Sequence, residues 1–236
     1  MNPILVTGGA KGLGSQICLE LAYQGHDVVI HYRTSEVAAH LLAKECRSFK
    51  VKAEPIQGNF STQEELNDFI TRYTHLFPHT KGLINNVGNY LVANSQETTP
   101  EQWLELFQTN FFTPVFLTQA LLPALRSSQG SIMNVGVTGL KSKRGVLHTT
   151  AYATSKAALH FYTVSLAKEL ASDNIRVNMV SPGYMENSID LPDAGLLPMK
   201  RAAGLQEVAR IIATFFDLKT AYITGQNLEI AGAFGL

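Results

Sequence analysis

A short apolar run, Pro3 to Thr7, opens directly into Gly8-Gly9-Ala10-Lys11-Gly12-Leu13-Gly14, and helical periodicity begins within that motif and continues to Gln24. Few local patterns restrict a chain so strongly. Glycines at positions 8, 12 and 14 let the backbone turn tightly and approach a ligand closely, and the free N–H groups at a helix start favour an anion there. A glycine cluster alone is compatible with an ordinary βα turn. Between a strand and a helix, it reads as the pyrophosphate turn of a dinucleotide site.

The rest of the chain repeats this alternation. Strands are predicted at Pro3 to Thr7, Asp27 to Tyr32, Lys50 to Ile56, Gly82 to Asn85, Ser131 to Gly136, Ile175 to Val180 and Gln226 to Ile230. Helices are predicted at Leu13 to Gln24, Ser35 to Arg47, Thr62 to Leu76, Pro100 to Leu125, Tyr152 to Ala171 and Leu205 to Phe216. The expected fold class is α/β: one doubly wound domain over residues 1–236, with a seven-stranded, mainly parallel sheet and helices on both faces. A content of 45% hydrophobic against 16% charged residues is enough for such a core. Gly25 suits a left-handed helix end, and Thr99 with Pro100 suits a helix start. Ser181 to Ala203, rich in Pro, Gly and Met, leaves the end of the sixth strand without periodicity and is read as a substrate lid.

Charge and composition exclude several classes. Lys plus Arg equals Asp plus Glu at 19 each, with no like-charge block, so neither nucleic acid nor an anionic membrane is an expected partner. The amino-terminal residues lack the pattern of a signal peptide, and no apolar run approaches the ~20 residues of a membrane span, so a cytoplasmic location is expected. Cys18 and Cys46 read as small core residues. His75 and His79 are separated by Pro78, which breaks the helix that would pair them on a metal.

The end of the second strand bears on the cofactor. It reads His31-Tyr32-Arg33-Thr34-Ser35, without the acidic residue that bonds the ribose 2'-hydroxyl of NAD. Lys11 and Arg33 are either solvated surface charges or the partners of a 2'-phosphate, and the missing acid favours NADP(H).

Tyr152-Ala-Thr-Ser-Lys156 sets a phenol and an ammonium one helical turn apart. An ammonium beside a phenol is expected to lower its pKa from about 10 toward the range useful for proton transfer. With the glycine loop, Asn85-Asn86-Val87-Gly88 after the fourth strand and Ser181-Pro182-Gly183 after the sixth, this pair resembles the short-chain dehydrogenase/reductase family over essentially the whole chain. The ending Tyr222-Ile-Thr-Gly-Gln-Asn-Leu-Glu-Ile230 is similar to the family's last strand.

The resemblance implies a Rossmann-type oxidoreductase in which Tyr152 is the general acid and Lys156 also holds the nicotinamide ribose. It implies a cofactor site formed by Gly8, Lys11, Gly12, Leu13, Gly14 and Arg33, with Asn59 and Phe60 beside the adenine. Asn86, Gly88, Pro182, Gly183 and Met185 would flank the ribose and carboxamide. Asn110 matches the family's helix-four asparagine. Pro114 deprives its carbonyl of a helical partner, either as a simple kink or, as the family implies, to hold a water in a proton relay.

The chain departs from the family at Val137, where the serine that orients the substrate carbonyl is expected. Thr138 is a candidate replacement if the local segment, which runs about two residues longer than usual before Tyr152, slips by one. Otherwise the site lacks one hydrogen bond, or the chain binds NADP(H) without chemistry. The overall look is most similar to 3-oxoacyl-carrier-protein reductases, which implies a small or carrier-bound carbonyl substrate. His31-Tyr32 also resembles pteridine reductases. The family implies a homotetramer; Phe111, Phe112, Phe116, Leu159, Phe161 and Leu166 read either as its interface or as core.

Overall fold

A computed structural model describes residues 1–140 and 145–234. In its sheet, β1 (Ile4–Val6) is buried at every position and paired in parallel with β2 (Val28–Tyr32) on one side and β4 (Gly82–Asn85) on the other. β2 continues to β3 (Ala53–Gln57), and β4 continues through β5 (Ser131–Val135) and β6 (Arg176–Pro182) to β7 (Asn227–Ile230). The order is β3-β2-β1-β4-β5-β6-β7, and every pairing is parallel where a mainly parallel sheet was expected. Strands covered on both faces read as continuous apolar runs, which is why Val28–Tyr32 shows no alternation.

Successive side chains of a strand face opposite ways, and β1 divides accordingly. Ile4 and Val6 enter one core with residues such as Ile17, Leu42 and Ile212 from α1 (Gly12–Tyr23), α2 (Glu36–Arg47) and α7 (Leu205–Thr214). Leu5 enters the other with Leu66, Leu117 and Leu166 from α3 (Gln63–Leu76), α5 (Thr113–Ser128) and α6 (Thr150–Leu170). Cys18 and Cys46 are buried free thiols of the first core. Chain order reverses between β1 and β4, so the crevice beyond their carboxyl ends is where such sheets take ligands.

Three expected boundaries move for physical reasons. The third strand starts at Ala53 rather than Lys50, because Lys50 has φ 65° and donates its N–H to Arg47, finishing α2. The sixth strand runs two residues further, to Pro182, because Ser181 and Pro182 still pair with Glu229 and Ile230. The helix expected unbroken from Pro100 to Leu125 is α4 (Pro100–Phe107), a π-helical turn (Gln108–Phe112) and α5. Pro114 has no N–H to give Asn110, and just before it the N–H and hydroxyl of Thr113 both reach back to the carbonyl of Gln108, the latter at 2.9 Å. Thr99 opens α4 with a capping box to Gln102, and Gly25, at φ 87°, closes α1, both as expected.

Candidate active site

The glycine loop is held from three sides. Gly8 and Gly12 have φ of 62° and 55°, and a Cβ on Gly14 would stand 2.1 Å from the carbonyl oxygen of Gly8, so a side chain at 14 would drive the turn apart. The N–H of Gly8 donates to Nδ1 of His31 at 2.9 Å, and the N–H of Gly9 to the His31 carbonyl at 2.8 Å. The third support is Asn86, whose Nδ2 donates to the carbonyls of Thr7 (2.9 Å) and Gly8 (3.3 Å). Thr7 returns the contact, its Oγ1 accepting the N–H groups of Asn86 and Val87.

His31 is buried, stacked on Phe60 with centroids 4.2 Å apart, and burial pulls its pKa down to about 4. It is neutral, and its tautomer is forced: Nδ1 must accept from Gly8, so Nε2 carries the proton toward the Gly58 carbonyl at 3.2 Å. The His31-Tyr32 pattern that resembled a pteridine reductase therefore serves the loop from inside the fold. Phe60 shares this fate. Its side chain lies in the core, against His31 and Phe69. Asn59 is partly exposed and ties its own turn, donating to Glu65 and accepting from Ser61.

Leu13 anchors the loop in the core, whereas Lys11 and Arg33 are exposed, and among the described residues neither side chain makes an ion pair or hydrogen bond. A narrow glycine turn with two uncommitted cations at its rim fits the phosphates of a dinucleotide.

Opposite the loop, α6 presents Tyr152 and Lys156. Lys156 is buried, donates from Nζ to the Val135 carbonyl at 2.8 Å, and is pulled down to about 8 by desolvation. Tyr152 departs from expectation: instead of being lowered by the lysine, it is pushed up to about 12, by burial first and by the charge of Asp190 second.

Asn110 is fully buried at the π turn. Its Nδ2 donates to the carbonyl of Asn89 and to Oγ of Ser155, both at 3.0 Å, and its Oδ1 accepts the Asn89 N–H at 2.8 Å. Ser155 in turn donates to the Tyr152 carbonyl at 2.7 Å. Gly88 fits between these groups: a Cβ there would stand 3.2 Å from Oδ1 of Asn110 and 3.3 Å from Nζ of Lys156. Asn110, Gly88, Lys156 and Tyr152 thus converge, and the side chain of Asn110, not only its carbonyl, organises them.

Thr138 does not join this group. Its hydroxyl donates to Glu229 at 2.9 Å and its N–H to the Pro182 carbonyl at 3.0 Å, so the donor expected to replace a serine at Val137 is already engaged with β7. Residues 141–144, part of the segment expected to be long, lie outside the described residues. Gly183 donates to the Ile230 carbonyl, and Met185 bridges to Ala203, which closes the base of the 183–203 excursion. Within it, the Asn187 amide lies 3.2 Å from where a Gly12 Cβ would be.

Sequence reasoning missed Ser155, Asn89, Tyr90 and Asp190. Ser155 lies within the Tyr152/Lys156 turn and had a local signal. Tyr90 and Asp190 had none: they are 100 residues apart, and the Tyr90 hydroxyl donates to Oδ2 of Asp190 at 2.6 Å.

A phosphate turn at the sheet's switch point, facing a tyrosine and a buried lysine on the helix after β5, defines a nucleotide-dependent oxidoreductase. The chain belongs to the short-chain dehydrogenase family, whose model matches residues 2–191. It is 31% identical to the 3-oxoacyl-[acyl-carrier-protein] reductase FabG of Staphylococcus epidermidis, over 97% of this chain and 96% of that protein. Among solved structures, acetoin dehydrogenase from Enterobacter cloacae superposes with a TM-score of 0.91 at 25% identity, covering 99% of this chain and 96% of that one. A blue fluorescent protein from a metagenomic library, in complex with NADPH, superposes with a TM-score of 0.89 at 26% identity, covering 100% and 98%.

Proposed function

We propose that this chain is an NADPH-dependent reductase of a carbonyl substrate, with 3-oxoacyl thioesters, free or carrier-bound, as the first class to test. The observation that carries the reading is the buried Lys156, held by Val135 on the helix that bears Tyr152 and close to Asn110 across Gly88, an arrangement with no evident structural benefit and a clear chemical one. Preference for the 2'-phosphorylated cofactor is supported by Lys11 and Arg33, whose side chains have no partner among the described residues, and by the NADPH complex of a structural neighbour. The similarity to FabG supports the acyl substrate.

NADPH, when bound, supplies the hydride. Gly8, Gly12 and Gly14 would hold its pyrophosphate, and Pro182 to Met185 would border the nicotinamide end. Tyr152 donates its proton to the carbonyl oxygen, and its high pKa keeps that proton in place until a charge develops on the substrate. Lys156 positions the ribose, while the Asn110 carbonyl holds a water through which the proton is restored. Residues 181–203 act as a lid over the substrate. Exposed Leu104, Phe112, Phe161 and Val164 on α4, the π turn and α6 support self-association as a homotetramer, whereas Leu159 and Leu166 belong to the core. Among the described residues, no helix is long and apolar enough to cross a membrane, and two buried free thiols suit a reducing cytoplasm.

The test is NADPH oxidation by purified protein against a panel of 3-oxoacyl thioesters and a panel of dihydropteridines. Turnover of the thioesters is expected. NADPH binding without turnover of either panel would leave a cofactor-binding protein and end the reductase reading.

A further inference from the structure

A carbonyl oxygen receiving a proton from Tyr152 gains from a second donor that orients it, and no such donor stands where it is expected. Val137 has no hydroxyl, and that of Thr138 is given to Glu229. A second phenol, however, stands against the first: the rings of Tyr90 and Tyr152 meet edge to face, with centroids 4.7 Å apart and planes at 86°. We propose that Tyr90 supplies this second hydrogen bond to the substrate oxygen; the assignment rests on the reductase reading above.

The backbone that carries Tyr90 is fixed by the active site itself. Both main-chain polar groups of Asn89 are bonded to the Asn110 side chain, and the same side chain bonds Ser155 on the Tyr152 helix. Tyr90 is therefore set relative to Tyr152 through two residues, which is the preorganisation that a donor to a developing oxyanion requires. Burial and the Asp190 carboxylate push the Tyr90 pKa up, so it stays protonated and able to donate.

A phenol has one O–H and gives it to one acceptor at a time. In this structure the acceptor is Asp190, on the segment across the cleft. Asp190 is exposed, so water can replace the phenol when the hydrogen bond passes to a substrate. In the reduction, the carbonyl carbon takes a hydride from the dihydronicotinamide and the oxygen takes the Tyr152 proton. An alcohol and oxidised cofactor result, and Tyr90 keeps its own proton throughout.

A different role is open to the same residues: Tyr90 and Asp190 could serve as a latch between two walls, with no contact to the substrate. The two roles separate by experiment, using full-length protein with NADPH and ethyl acetoacetate as the ketone. Tyr90→Phe should lower kcat by roughly 10²-fold, the scale of one lost oxyanion donor, with NADPH affinity and melting temperature retained. It should also weaken equilibrium binding of ethyl acetoacetate to the NADP-loaded protein, a readout that needs no turnover. Adding Val137→Ser to Tyr90→Phe should recover part of the rate, because a serine there would restore a donor. The assignment is overturned if Tyr90→Phe turns over like the parent, if Val137→Ser recovers none of the rate that Tyr90→Phe loses, or if the loss follows Thr138→Val instead. A parent that binds NADPH yet reduces no ketone overturns the reductase reading and this assignment together.

Discussion

Nδ1 of His31 accepts the N–H of Gly8 at 2.9 Å, so the second strand holds the phosphate loop of the first through a side chain. The bond exists only while the imidazole is neutral. With a folded pKa of about 4 against 6.5 for the free group, the unfolded chain takes up the proton first as pH falls. This contribution is constant above pH 6.5 and is lost between 6.5 and 4, on the order of 3 kcal/mol in all. Urea unfolding at pH 7 and pH 4.5 measures it. His31→Gln, which does not titrate, should flatten the dependence in that window; an unchanged slope would assign it to other groups.

Arg33 and Lys11 are exposed, and their side chains have no partner among the described residues. Arg33→Ala should weaken NADPH about 10- to 100-fold, the worth of a charged hydrogen bond, and leave NADH nearly unchanged. Titration of both cofactors reads this directly. An equal loss for the two would mean that Arg33 does not meet the 2'-phosphate.

Tyr152→Phe removes the proton donor and keeps the ring that Tyr90 packs against. Carbonyl reduction should fall ~10²- to 10⁴-fold with cofactor affinity retained. Near-parental turnover in this variant would refute the mechanism.

Lys156 is a costly residue for the fold. Below pH 8 it is charged in both folded and unfolded states, and burial of that charge opposes folding. Between pH 8 and 10.5 the folded protein sheds the proton while the unfolded chain keeps it, so stability rises with pH through that window. Lys156→Met should therefore raise stability at pH 7, on the order of 2 kcal/mol, while abolishing turnover, and the gain should shrink toward pH 10. Calorimetry at both pH values tests it. A destabilised variant at pH 7 would show that the hydrogen bond to Val135 outweighs the burial cost.

The parts legible in the sequence were those with a local cause. Gly82–Asn85 was predicted to the residue because a short apolar strand is bounded by glycine and polar residues, and the Thr99/Pro100 start of α4 because capping is local chemistry. The glycine loop and the Tyr152/Lys156 pair were likewise visible as spacing. Less visible was how side chains would use their atoms. The Asn86 amide turns back on the loop, Phe60 turns into the core, and Thr138 bonds a residue 91 positions away. Each depends on strands brought together by the sheet. The Tyr152 pKa failed for the same reason, since spacing gave the lysine but gave neither the burial nor Asp190.

The wide turn at Gln108–Phe112 also has a counting consequence. A π turn amounts to one residue inserted into an α-helix, and each residue of an α-helix rotates the next by about 100°. Deleting one residue there would let α4 and α5 fuse into a continuous helix. The segment before the deletion would swing by that angle relative to the one after it. Asn110 would leave Ser155 and Asn89, although every other residue of the site was still encoded. The reading frame of the helix, one residue out of step, is thus as much a component of the site as any side chain in it.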